Sequence, residues 1–109
     1  MNLLNETIEI LKDNGKTEQD VLWVGNEEKY SISWEEFSKI ANKEYDEGYG
    51  SEEVCKDVLV VGKNFWLERH QYDGLEWWEY KTMPIQPKKG EKIKNLFIKD
   101  YKMYLKENN

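Results

Sequence analysis

The segment FWLERHQYDGLEWWEYKTM, Phe65 to Met83, decides how this chain is read. Two runs of alternating character flank Asp73-Gly74. An Asp-Gly pair at that place predicts a tight β-hairpin, because both central positions of the favoured turn need positive φ. A two-residue turn sets Tyr72 opposite Leu75, His70 opposite Trp77, Glu68 opposite Glu79 and Trp66 opposite Lys81, all on one face. The other face then carries Phe65, Leu67, Arg69 and Gln71 opposite Thr82, Tyr80, Trp78 and Glu76. Phe65, Leu67, Trp78 and Tyr80 read as core. The first face mixes Trp66, Trp77 and Tyr72 with Glu68, His70, Glu79 and Lys81, which suits an open surface. Glu68 and Glu79 repel unless a cation or a shared proton lies between them, and Lys81 is placed to supply the charge. A bulged, three-residue turn would reassign the faces and dissolve this constellation.

Working outward, Leu3, Leu4, Thr7, Ile8 and Leu11 recur at helical spacing before Gly15, which predicts a first helix over 2–14. Residues 20–25 (DVLWVG) and 29–33 predict a short hairpin. Ser33-Trp34-Glu35-Glu36 is a capping box. It opens a helix whose apolar stripe takes Trp34, Phe37, Ile40, Ala41 and Tyr45. Residues 45–53 (YDEGYGSEE) are irregular and acidic, with Ser51 capping a short turn through Glu53–Lys56. Residues 56–62 (KDVLVVG) predict a central strand. Pro84 and Pro87 end the hairpin, Lys88-Lys89-Gly90 begins a basic linker over 88–92, and a last helix is expected over 91–106. The order α-β-β-α-β-β-β-α describes one α+β domain over 1–109: an antiparallel sheet of about five strands, with helices on one face.

The chain has 109 residues, with charged residues at 35 % and aromatics at 14 %, and its mean hydropathy is −0.92. That is enough for one core and no more. No stretch has the length of a membrane span, and a cytoplasmic location is expected. Cys55 is the single cysteine, so no internal disulfide is available. It reads as a small buried residue beside Val54 and Val58, the other reading being a nucleophile with His70 as base.

Net charge is −6 overall; residues 1–87 sum to −10 and residues 88–109 to +4. The acidic body argues against direct nucleic-acid binding and favours a basic partner, such as a nucleic-acid-binding enzyme. Asp46, Glu47, Glu52 and Glu53 lack EF-hand spacing. They read as a solvated turn or as phosphate mimics for a basic groove. Tyr49, between two glycines, is a candidate anchor. No nucleophile elbow, phosphate-binding glycine loop or metal-ligand spacing occurs, and a non-catalytic protein without cofactor or metal is expected.

KDVLVVGKNFWLERHQYDGLEWWEYKTMPIQP (56–87), together with ISWEEFSKIANKEYDEGYGSEEV (32–54), resembles a group of short proteins encoded in phages and prophages of low-GC Gram-positive bacteria. The resemblance carries no established activity and no site residues; it implies a small, acidic phage protein acting in the cytoplasm of a bacterial cell. Many such proteins are accessory factors, so an inhibitor of a host factor, of the anti-defence or anti-CRISPR kind, is expected by analogy. The contact residues expected are Trp66, Trp77 and Tyr49 as anchors, Glu68, His70, Glu79 and Lys81 around them, and Glu47, Glu52 and Glu53 facing the partner. One alternative is a sponge for a nucleotide signal, with a base stacked on an aromatic ring and Arg69, His70 or Lys81 on phosphate. Another is a structural or regulatory phage protein, dimerising through the open sheet face.

Overall fold

In a computed structural model, residues 1–46, 48, 50–94 and 96–97 are described. Five antiparallel strands form one sheet: β1 (Val21–Gly25), β2 (Ser31–Ile32), β3 (Leu59–Gly62), β4 (Phe65–Tyr72) and β5 (Leu75–Thr82). Their spatial order is β2-β1-β3-β4-β5. Helices α1 (Leu3–Asp13) and α2 (Trp34–Ile40) both pack on one face. The class is α+β, as expected.

The hairpin register is the two-residue one. All eight pairs from Phe65↔Thr82 to Tyr72↔Leu75 form, and Asp73 and Gly74 both have positive φ, 50° and 87°. Glycine also matters at Gly62, where a Cβ would collide with the Phe65 ring that crosses it.

The core joins Leu11, Val24, Phe37, Val60, Leu67 and Trp78. Helix α1 docks through a polar contact as well: the Trp78 indole N–H donates to Thr7 Oγ1 at 2.8 Å, and that hydroxyl donates to the Leu3 carbonyl at 2.7 Å. Thr7 is fully buried. Thr7→Val keeps the shape but leaves the indole N–H without an acceptor, so a loss of roughly 1–2 kcal/mol is expected in urea unfolding. An unchanged midpoint would show that this bond adds nothing to the packing of α1.

Several expectations need correction. Ile8 is exposed, and Ile10 packs against the core instead. Helix α2 stops at Ile40, which is 70 % exposed; Tyr45 lies beyond it in a different network. Strand β1 starts one residue late because Thr17–Asp20 close their own capping box. Strand β2 shrinks to two residues because the Asn26 side chain accepts from the Lys29 and Tyr30 amides and holds them in a turn. Strand β3 starts at Leu59, three residues after the predicted start. The turn expected after Ser51 falls slightly later, at Lys56–Asp57, where the Val58 amide donates to the Cys55 carbonyl, since the Glu53 and Val54 amides donate to the Glu76 carboxylate. Cys55 is exposed, not buried.

The last predicted helix does not begin at Glu91. Residues 91–94, 96 and 97 are not helical, and Ile93, Leu96 and Phe97 are exposed. Lys88-Lys89-Gly90 offers no capping side chain for a start at that point. The remainder of that expected helix, residues 98–106, lies outside the described residues.

Candidate functional site

Cross-strand pairs share a face, so the register defines what the side of the sheet away from α1 and α2 displays. One row crosses four strands: Trp23 opposite Val61, Val61 opposite Trp66, and Trp66 opposite Lys81. The next row holds Gly25, Leu59, Glu68 and Glu79. Beyond it stand His70 opposite Trp77 and Tyr72 opposite Leu75. Both helices contribute to the core on the other face, and Trp23, Leu59, Val61, Trp66 and Trp77 remain only half-buried.

The charged residues of this face form one network. The Trp66 indole N–H donates to Glu68 Oε1 at 2.7 Å, and the Trp77 indole N–H donates to Glu79 Oε2 at 3.1 Å. His70 Nε2 lies 2.6 Å from Glu68 and 3.5 Å from Glu79. Lys81 Nζ is 3.0 Å from Glu79. The expected repulsion between the facing carboxylates is therefore relieved by four donors, of which only Lys81 and His70 carry or can acquire charge. The Trp77 and His70 rings stack with centroids 6.5 Å apart.

These contacts hold both carboxyls below their ordinary range. For Glu68 the Trp66 N–H is the main cause, followed by His70. For Glu79 it is Lys81, followed by Trp77. A carboxyl whose folded pKa is depressed stabilises the fold fully above its unfolded pKa, about 4.3 for Glu. That stability is lost as pH falls through the lower folded value. The urea midpoint should therefore fall from about pH 5 downward. Trp66→Phe keeps a ring but removes the N–H, so its acid loss should be shallower. An identical pH slope in wild type and Trp66→Phe would show that the indole does not hold Glu68.

Below this face, the other side of the hairpin holds a buried ion cluster that sequence reasoning missed. Arg69 Nη2 lies 3.0 Å from Glu76 Oε1, and both side chains are 2 % exposed. Arg69 Nη1 is 3.5 Å from Glu6. Arg69 Nη2 donates to Tyr45 Oη at 3.3 Å, and Tyr45 donates to Glu6 at 2.6 Å. The guanidinium carbon lies 4.8 Å from the centre of the Trp78 ring. Burial works against the Arg69 charge, but Tyr45, Glu6 and Glu76 outweigh it and hold its pKa above the usual value. Burial, reinforced by Glu6, pushes the Tyr45 phenol far up. Arg69 and Glu76 on the hairpin face that also carries Phe65, Leu67 and Trp78 were the available signal: a charge on a buried face needs a partner.

The predicted contact residues thus divide. Trp66, Glu68, His70, Trp77, Glu79 and Lys81 come together on one surface. Arg69 does not join them, because strand alternation turns it inward. Glu52 is exposed on the connection before β3 and has no contact with that surface among the described bonds. Glu53 turns back to accept from the Asp46 amide at 2.5 Å. Glu47 and Tyr49 lie outside the described residues. Trp23, Leu59 and Val61 belong to the surface and were missed, because single strands show alternation but not which strands are neighbours. Among the described residues, no group of His, Cys, Asp or Glu is placed to hold a metal ion, and no helix is long and apolar enough to cross a membrane. Comparison with protein-family models, characterised proteins and solved structures finds no match.

Proposed function

We propose that this chain is a non-catalytic binding protein that docks a basic host protein on its open sheet face and inhibits it. The observation that carries this reading is the aromatic face of the sheet: Trp23, Trp66 and Trp77 stand half-buried on the side that neither helix covers. Tryptophans ringed by polar groups are the residue type that dominates binding hot spots. The indole–carboxylate bonds hold the rings in place before a partner arrives, which lowers the ordering cost of association. The surplus of acids over residues 1–87 favours a basic target.

The resemblance to short phage and prophage proteins supplies the setting: anti-defence inhibition, of the anti-CRISPR kind, inside a bacterial cell. The nucleotide-sponge reading loses support, because Arg69 is buried with Glu76 and Lys81 is paired with Glu79. The test is affinity capture from host lysate followed by native mass spectrometry. A stoichiometric basic protein, retained by wild type and lost with the sheet-face variants, is expected. A bound mass of a few hundred daltons would overturn the reading in favour of a nucleotide ligand. A bare homodimer would favour the structural role.

A further inference from the structure

The helix-bearing side of the molecule holds a cleft of about 610 Å³, away from the open sheet face. It exists because α2 is only seven residues long and ends before it covers the β1–β2 edge. Among its described residues, the connection from α2 to β3 contains no helix or strand to fill the gap, and its two ends line the cleft. The floor is made of core residues, Val24, Phe37 and Ala41, flanked by Ile32, Val54 and Val58. At the rim Ile40 and Tyr30 are 70 % and 65 % exposed, so apolar surface continues out of the cleft.

The polar groups of the lining set what could enter. Glu44, Glu53 and Asp57 are acidic, against Lys43 as the one base of the lining. The Glu44 carboxylate already holds the N-terminal amine at 2.9 Å. Glu53 accepts from the Asp46 amide, and Asp57 accepts from the Asn26 side chain at 3.2 Å. Neither Glu53 nor Asp57 has a cation within ion-pair distance among the described residues. An apolar floor with carboxylates at the mouth that lack a cation complements a molecule with an apolar body and one cationic end.

We propose that this cleft is a second binding site, for a small hydrophobic ammonium compound. Its volume falls in the range of small-molecule sites, about 300–1,000 Å³. The apolar body lies against Val24, Phe37 and Ala41, and the ammonium meets Asp57 and Glu53. Cys55 lines the same cleft and is the only thiol in the chain, so it serves as a single-position reporter.

Two probes with one apolar body and opposite charges test this on the full chain: 4-phenylbutylammonium and 4-phenylbutyrate, at pH 7. The expected result is saturable shifts of the Val24, Ile32, Ala41 and Val58 amides with the ammonium probe, and slowed modification of Cys55 by a thiol reagent. The carboxylate probe should bind roughly fivefold more weakly, the size expected for a solvent-exposed ion pair. Asp57→Asn combined with Glu53→Gln should erase that preference while leaving residual apolar binding. If that double variant misfolds, the wild-type comparison of the two probes still decides. Equal binding of the two probes would overturn the charge assignment. Absence of saturable shifts in the cleft, or shifts confined to the Trp66 and Trp77 face, would overturn the site itself.

Discussion

Arg69→Ala is expected to lower stability by about 3–5 kcal/mol, because it leaves Glu76 as a buried carboxylate with no counter-ion. The Glu76 oxygens also accept the Glu53 and Val54 amides, so the same substitution weakens the anchor of the connection before β3. The guanidinium further touches Tyr45 and, through Glu6, reaches α1. One side chain therefore ties the hairpin tip, the first helix and the long connection together. For a domain whose whole stability is of order 5–15 kcal/mol, this loss removes a large part of it. Urea unfolding measures it directly. An Arg69→Met, Glu76→Leu double variant should lie closer to wild type than Arg69→Ala does, since replacing both charges removes the desolvation cost with the attraction. A loss below about 1 kcal/mol for Arg69→Ala would mean that Glu76 reaches water when its partner is gone.

Trp77→Ala is expected to weaken partner binding by about 2 kcal/mol or more, roughly thirtyfold, in a domain that still folds. Trp77 is half-buried on the open face and lies outside the core, so truncation opens no core cavity. It does release Glu79 from one of its donors, which makes Trp77→Phe the informative control. Phe restores apolar area without the N–H. If Phe recovers most of the affinity, the ring is the anchor; if it does not, the orientation of Glu79 matters as much. Unchanged affinity in a folded Trp77→Ala variant would remove this residue from the contact surface. Thermal unfolding of the same variants separates lost binding from lost structure.

The hairpin was legible because its information is local. Asp73-Gly74 specifies the turn, the turn specifies the register, and the register places Trp66, Glu68, His70, Trp77, Glu79 and Lys81 together. The capping box at Ser33 was legible for the same reason, since its partners are three residues apart. The ends of β1, β2 and β3 were less so. They depend on side chains that compete for backbone amides: Asn26 over Lys29 and Tyr30, Asp20 over Thr17, Glu76 over Glu53 and Val54. The exposure of Cys55 and Ile40 was missed for a related reason. Apolar neighbours in sequence indicate burial only if an element carries them to the core, and α2 stops too early while Cys55 belongs to no element.

The sequence by itself determined the α+β class, the long hairpin, its two faces and the local pairing of the six polar and aromatic residues. Periodicity and turn chemistry act over a few residues, where the chain has few ways to disagree with itself. The tertiary structure alone decided that β3 inserts between β1 and β4, which extends the aromatic face to Trp23 and Val61. It alone brought Glu6, Tyr45, Arg69 and Glu76 into one buried cluster, although Glu6 and Arg69 stand 63 positions apart in the sequence. It also left the cleft beside α2. Strand order, long-range ion pairs and voids arise from which surfaces meet, and no local pattern encodes that.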